Sequence, residues 1–391
     1  MTRAMCETLE AGGYQPVVAH YEPYSLSPQL SAPLHRLFTR KPGVRVGKAF
    51  DRFECHAVGA WLPELEFTHY RATSTWRRLV EEADVHLVAS GNCLAGTAFA
   101  DIGVPFLGWI ATKWDEDRRV RAASFPAHRR LVDAAVSAPI IRRLEQRILS
   151  RGHVLALSAY TQRQLGSLLG APAQVGLLWI PLELDWFAPR ASSVIPGRIG
   201  FAARYNDPRK NVGTLMDAFD RLPGDASLAL TGDAPGPAVL ARRARAVAPD
   251  RIELLPLLAR REYRDFLQSL DVFVVPSDQE GLCIAALEAM ACGCPVVSTR
   301  CGGPEEFVVD GETGYLTGND PGEIAGRVEQ IMGDRPLRTR LGANARLMVA
   351  ERYTRRSFER GFWGAFSAAF TGRGIDGTAG GNLQSTSLHL G

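Results

Sequence analysis

Two acidic residues in one short stretch pose the chemical question. In "SDQEGLCIAALEAMACGCPVVST", Ser277 to Thr299, Glu280 and Glu288 stand with seven residues between them, and Glu288 is the only charge inside an apolar run that reads as a buried helix. An ionised carboxylate left unpaired in an apolar interior is costly, so Glu288 must hold a partner. A salt bridge to a neighbouring helix is the bland answer. Glu280 precedes the helix N-terminus, where partial positive charge keeps a carboxylate ionised and free backbone N–H groups can hold a phosphate. A carboxylate there with no other task is common. Upstream, Arg204 and Lys210 flank the loop "YNDPRK" at the carboxyl end of an expected strand, which is where ligands approach an open parallel sheet. In isolation such cations are surface charges; on a strand-loop-helix they fit a diphosphate.

The elements that would position these groups alternate regularly. Short apolar runs at "RIGFAAR", "ASLALTG", "RIELLPL", "DVFVVPS" and "PVVST" read as buried parallel strands, with helical segments "NVGTLMDAFDRL", "PAVLARRARAVA", "REYRDFLQSL" and "LCIAALEAMACG" between them. A helical pair follows from Pro321 to about Phe370. The first half is a similar array, with strands at "YQPVVAHYE", "ADVHLVAS", "VPFLGWIA" and "HVLALSAYT". Prolines and polar residues break the pattern at "WIPLELDWFAPRASSVIPGR". The expected division is a first domain over 1–187, a second domain over 188–350, a helix over 351–370 returning to the first domain, and a disordered tail over 371–391 of low apolar content.

The chain of 391 residues is 46% hydrophobic and 22% charged, and no apolar run approaches the roughly 20 residues that span a bilayer. No export signal is visible at "MTRAMCETLEAGGYQP", so a cytoplasmic location is expected. Seven cysteines lack the spacing of a disulfide framework, and the cluster Cys292, Cys294 and Cys301 reads as small buried thiols rather than a metal site. The net charge of +3 conceals arginines crowded between Arg118 and Arg151. These either solvate helix faces or meet an anionic lipid surface; no nucleic-acid-binding signature accompanies them.

The run "DVFVVPSDQEGLCIAALEAMACGCPVVSTRCGGPEEFVVDGETGYL", with "GFAARYNDPRKNVGTLMDAF" before it, resembles the signature of retaining family 4 glycosyltransferases of the GT-B fold (glycosyl transferases group 1). The resemblance covers residues 150–370 well and the first half loosely. It implies an α/β protein of two doubly wound Rossmann-like domains. It implies further that Glu280 contacts hydroxyls of the transferred sugar, that Glu288 binds the ribose diol, and that Arg204 and Lys210 neutralise the diphosphate. A diol can satisfy both oxygens of a carboxylate, which answers the question Glu288 raises. Gly281, Leu282, Cys283 and Ile284 would line the donor, with Leu257 near the base. The implied partners are a nucleotide-sugar donor and a hydroxyl acceptor, sugar or lipid-linked, with a peripheral contact to anionic membrane; no cofactor or metal is expected.

Three departures qualify it. Cys283 replaces a glycine that lets the backbone approach the donor phosphate. Ala111 and Thr112 stand where family members often carry a histidine, with Thr112 as a substitute hydroxyl on the acceptor side. The first strand and glycine-rich loop of such domains have no counterpart here, which implies either a start assigned too late or a truncation that leaves the first sheet without its central strand. These departures motivate the rival expectation of a non-catalytic nucleotide-binding relative or scaffold. A nicotinamide-dependent enzyme is disfavoured because no G-x-G-x-x-G follows a first strand.

Overall fold

The computed structural model describes residues 1–122, 125–170, 175–205, 207–232, 238–248, 250–370 and 386–390. The chain divides into two compact units, Met1–Ile180 with Phe358–Gly391, and Pro181–Ser357. The first unit thus ends short of the expected boundary at 187, and residues 351–357 stay with the second.

The strands of the first unit are β1 (Pro16–Tyr21), β2 (Val44–Ala49), β3 (Phe53–Val58), β4 (Val85–Ser90), β5 (Leu107–Ile110), β6 (His153–Ala156) and β7 (Gly176–Leu177). The second unit contains β8 (Arg198–Ala202), β9 (Ser227–Thr231), β10 (Ile252–Leu255), β11 (Val272–Val275), β12 (Val296–Thr299) and β13 (Gly314–Thr317). A last strand, β14 (Thr386–Leu390), returns to the first unit.

The second unit's sheet has the order β10-β9-β8-β11-β12-β13 and is parallel throughout. Its strands are apolar on both faces because helices cover both. Val272, Val274, Val297 and Leu228 are fully buried against Leu215, Met216 and Phe219 of the helix Val212–Phe219. The helical pair expected after Pro321 is three helices, Pro321–Gly333, Arg335–Arg352 and Arg355–Phe370. From Phe358 onward the last of these belongs to the first unit, where Phe358 lies 5.1 Å from the Trp109 ring and Phe366 lies 5.3 Å from Tyr14.

The first unit's sheet has the order β2-β3-β1-β14-β4-β5-β6-β7, with β2 antiparallel to β3. Its central position is filled by β14, which pairs in parallel with β1 (Val18 opposite Leu388) and with β4 (Leu388 opposite Leu87). The expected disorder of 371–391 therefore does not hold for Thr386–Leu390; the rest of that tail lies outside the described residues. The reason is that two facing strand edges recruit backbone N–H and C=O groups, and composition alone does not register that demand. Deleting residues 371–391 is expected to lower the thermal midpoint by several degrees, read by differential scanning calorimetry. An unchanged midpoint would show that β14 contributes nothing to the sheet.

Candidate active site

The candidate residues of the second unit gather on two loops at the carboxyl ends of the paired strands β8 and β11. After β8, Asp207 turns the chain: its side chain accepts from the Arg209 backbone N–H, Pro208 fixes the next φ, and Asn211 takes a left-handed φ of 44°. Arg209, which the sequence did not single out, is buried and clamped by Asp207 at 2.6 and 3.0 Å. The buried carboxyl of Asp207 would by itself be pushed up, but the Arg209 guanidinium more than offsets burial and holds it below its ordinary range. Arg209 also donates to Gln279 at 3.2 Å, and Asp278 N–H donates to the Arg209 carbonyl at 2.8 Å. The two loops are therefore one hydrogen-bonded unit.

Lys210 and Glu280 meet across that junction. Lys210 Nζ lies 2.6 Å from Glu280 Oε1, which also accepts from Ser277 Oγ at 2.7 Å. Burial opposes the charged ammonium, yet the Glu280 carboxylate outweighs it and raises Lys210 above its ordinary value, so it stays protonated. Arg204 is different: its side chain is 63% exposed and only reaches Asp207 at 3.3 Å. It is a mobile-length cation at the rim, whereas Lys210 is fixed.

The backbone of Glu280 is held by a further pairing. Its N–H donates to Cys301 O at 2.8 Å and its carbonyl accepts from Gly303 N–H at 2.9 Å. The pair Gly302–Gly303 permits this approach: Gly302 has φ 108°, and a Cβ on Gly303 would lie 2.4 Å from Leu282 Cα.

Past Glu280, Leu282 is buried while Gly281, Cys283 and Ile284 are half-buried, leading into the helix Ile284–Ala291. That helix's first turn leaves N–H groups without intrahelical acceptors, beside the Lys210–Glu280 pair. Cys283 caps it with φ 71° and ψ 72°, the left-handed region where glycine carries no penalty. Burial, with Glu280 adding to it, pushes the Cys283 thiol well above its ordinary value, so it is a neutral group. The sequence departure at this position is thus a strained residue in a glycine's conformation. Cys283→Gly is expected to stabilise the protein by about 1 kcal/mol, measured by urea unfolding, because the left-handed cost disappears. A loss of stability would mean that the Cys283 side chain packs better than its backbone is strained.

Glu288 lies one turn further along and is half-buried rather than enclosed. Its partner is Tyr263, on the helix Arg260–Gln268, whose hydroxyl donates to Glu288 Oε2 at 3.0 Å. Burial pushes Glu288 up to about 7 despite that hydrogen bond, with Glu183 adding to the rise and Arg260 opposing it. Among the described residues Glu288 has no salt bridge, and one oxygen is held by a phenol. Around it, Arg260 pairs with Glu183, and Arg260 and Arg264 lie 4.7 and 4.4 Å from the Trp186 ring.

Two candidates fall elsewhere. Leu257 is 74% exposed after β10, an edge strand separated from β11 by β9 and β8. Thr112 belongs to the first unit, after β5, where its N–H donates to Gly91 O at 2.8 Å. Cys292, Cys294 and Cys301 are buried free thiols, and burial pushes Cys292 and Cys301 up to about 12.

Comparison with known proteins fits this geometry. Residues 196–334 match the family described as Glycosyl transferases group 1. The matched stretch lies within the second unit. It contains Arg204, Lys210, Glu280 and Glu288. Over 268 residues the chain is 28% identical to the D-inositol 3-phosphate glycosyltransferase of Xylanimonas cellulosilytica, covering 61% of this chain and 64% of that protein. The chain thus spans less than two thirds of this relative's length. Among solved structures, a glycosyltransferase from Rickettsia africae superposes with a TM-score of 0.65 at 12% identity, over 95% of this chain and 94% of that one. The Anabaena protein HepE, solved with UDP-glucose, superposes with a TM-score of 0.59 at 18% identity, over 75% of this chain and 77% of that one. The fold is that of the GT-B class, with a Rossmann-like sheet in each unit.

Proposed function

We propose that the protein is a retaining glycosyltransferase that moves a sugar from a nucleoside diphosphate to a hydroxyl acceptor, in the assembly of a cell-envelope glycan or glycolipid. The observation that carries this reading is the Lys210–Glu280 pair, locked at the carboxyl end of the second sheet beside a helix N-terminus whose next turn bears Glu288. The UDP-glucose complex of HepE and the glycosyltransferase relatives support a nucleotide-sugar donor.

In this reading the helix N–H groups, Lys210 and Arg204 receive the diphosphate, Glu288 accepts from the ribose hydroxyls, and Glu280 accepts from a sugar hydroxyl. The bond from the anomeric carbon to the phosphate oxygen breaks as the acceptor oxygen bonds to the same face of that carbon. The acceptor's proton passes to the departing phosphate oxygen, so no side-chain base is required. Lys210 and Arg204 stabilise the negative charge that grows on the leaving diphosphate. Calorimetric titration with UDP, GDP and ADP tests the donor half: one diphosphate is expected to bind at micromolar concentration, and binding of none would remove the reading.

A peripheral contact with anionic membrane fits the first unit. Leu131 is 70% exposed and Val132 and Val136 are 45% and 44% exposed, among the exposed Arg129, Arg130, Arg142 and Arg143. No helix among the described residues is long and apolar enough to cross a membrane. Apolar groups flanked by cations suit the headgroup boundary of a bilayer. Flotation with phosphatidylglycerol vesicles at low salt is expected to carry the protein upward, and Leu131→Glu to leave it behind. Sedimentation of the wild type at every salt concentration would end this part of the proposal.

A further inference from the structure

Tyr263 is the one side chain that hydrogen-bonds Glu288 among the described residues, and its place is fixed from several directions. It follows the first turn of the helix Arg260–Gln268, where Ala259 N–H donates to the Glu262 carboxylate at 3.0 Å and Tyr263 N–H donates to the Ala259 carbonyl at 2.8 Å. Phe266 and Leu267, three and four residues on, are buried, so Tyr263 lies on the inward face of that helix. Its ring stands 6.3 Å from that of Phe266 and, at 82°, 6.3 Å from that of the buried Phe187. Arg346 holds the Phe187 segment in turn. It donates to the Leu184 carbonyl at 3.0 Å, to the Phe187 carbonyl at 2.7 Å, and to the Ala291 carbonyl at the end of the Glu288 helix at 2.9 Å. One guanidinium thus ties the support of the ring and the helix of the carboxylate to the same point. All of these groups belong to the second unit.

The arrangement orders Glu288 before any ligand arrives. The phenol takes Oε2, whereas Oε1 has no partner among the described residues and is not enclosed. A glutamate side chain loses several rotamers when it is immobilised, and one already held by a hydrogen bond has that ordering done beforehand. The donated hydrogen bond also favours the ionised carboxylate, which is the better acceptor. Burial pushes the Tyr263 phenol well above its ordinary value, with Glu288 adding to the rise, so it remains a donor across the neutral range. Beyond burial, which raises Glu288 most, Glu183 raises it further and Arg260 lowers it, and those two pair with each other. Burial and then Glu288 push the Cys292 thiol up to about 12 against Arg346 and Arg264, so that thiol, like Cys283, is neutral.

We propose that Tyr263 is a positioning residue of the donor site, holding Glu288 in one rotamer with Oε1 presented to a ribose hydroxyl of the nucleotide. The proposal rests on the donor reading of Glu288 and adds the role of the phenol to it. Tyr263 acts through the carboxylate rather than by contact with the reacting atoms, and Phe187, Phe266 and Arg346 matter to the nucleotide only through Tyr263.

Calorimetric titration of the full chain with UDP, GDP and ADP tests it, using wild type, Tyr263→Phe, Glu288→Ala and the double variant. Phenylalanine keeps the ring contacts to Phe187 and Phe266, so the fold is retained, which urea unfolding checks. Tyr263→Phe is expected to weaken binding of the diphosphate that the wild type takes by about tenfold. In the Glu288→Ala background the same change is expected to alter affinity by less than about twofold, since the two residues act as one. The pH profile supplies a readout that loosened packing would not move. Without the phenol donor the carboxylate is harder to ionise, so the rise in affinity as pH climbs through about 7 shifts upward by about one unit. Equal losses in both backgrounds, or wild-type affinity and profile in Tyr263→Phe, would overturn the positioning role and leave the donor reading intact. A wild type that binds none of the three diphosphates would remove the donor reading itself, and this role with it.

Discussion

Lys210→Ala is expected to slow sugar transfer by about 10²–10³-fold at saturating donor, the range seen when one preorganised charge or hydrogen bond to a transition state is removed. The size follows from placement. Lys210 is fixed by Glu280 at 2.6 Å, so its charge requires no reorganisation as the diphosphate departs. Arg204, being 63% exposed, can supply charge but not fixed geometry, and its replacement should cost less. The substitution also leaves Glu280 with Ser277 alone as a side-chain partner among the described residues. Stability should fall less than activity, because the Asp207–Arg209 clamp still fixes the loop. Initial rates of nucleotide release, with circular dichroism to confirm folding, give the comparison. A loss of less than about threefold would place Lys210 among ion pairs that contribute little and would remove it from the chemistry.

Glu288→Gln is expected to weaken nucleoside diphosphate binding by about 10–100-fold, because a charge-assisted acceptor for the ribose becomes an amide with one acceptor oxygen. The pH dependence sharpens the test. With its carboxyl pushed up to about 7, Glu288 becomes a full acceptor only as pH rises through that value. Wild-type affinity should therefore increase between about pH 6 and pH 8, and the Gln variant should lose that increase. Stability runs the other way. A carboxyl whose folded value is raised above its unfolded value contributes stability that is lost as pH climbs from about 4.5 to about 7. Glu288→Gln should flatten that decline. Calorimetric affinities at both pH values and urea unfolding across the range measure the two slopes. A variant with wild-type affinity and an unchanged pH profile would show that Glu288 serves Tyr263 alone.

Much of this site can be read from one dimension because its parts are local. The spacing of Glu280 and Glu288 around a helix start and the strand-loop-helix of Arg204 and Lys210 are short patterns, and β8 to β12 are apolar runs that a parallel sheet demands. What could not be read is what meets across the fold. Lys210 and Glu280 are 70 residues apart, and only the pairing of β8 with β11 makes them neighbours. Tyr263 gave no signal, since a tyrosine on a charged amphipathic helix is ordinarily a packing residue. The hairpin β2–β3 escaped for a different reason: β2 is an edge strand exposed along most of its length, so it shows no apolar alternation. β13, Gly314–Thr317, opens on a glycine and lacks the valine run that marks β11 and β12, and β14 is recruited by the backbone edges of β1 and β4, which no composition rule reports. Cys283 illustrates both sides: the departure from glycine was visible, but the positive φ that makes it strain was not.

The central claim is that the second unit activates a nucleoside-diphosphate sugar. The most direct measurement is release of nucleoside diphosphate from a panel of UDP-, GDP- and ADP-sugars by wild type and Glu280→Gln, with the anomer of the transferred sugar read by proton NMR. Turnover of one sugar nucleotide with retention, lost in the variant while diphosphate binding persists, is the predicted result. A protein that binds the diphosphate but turns over no sugar, in either form, would contradict the account and describe a nucleotide-binding scaffold instead.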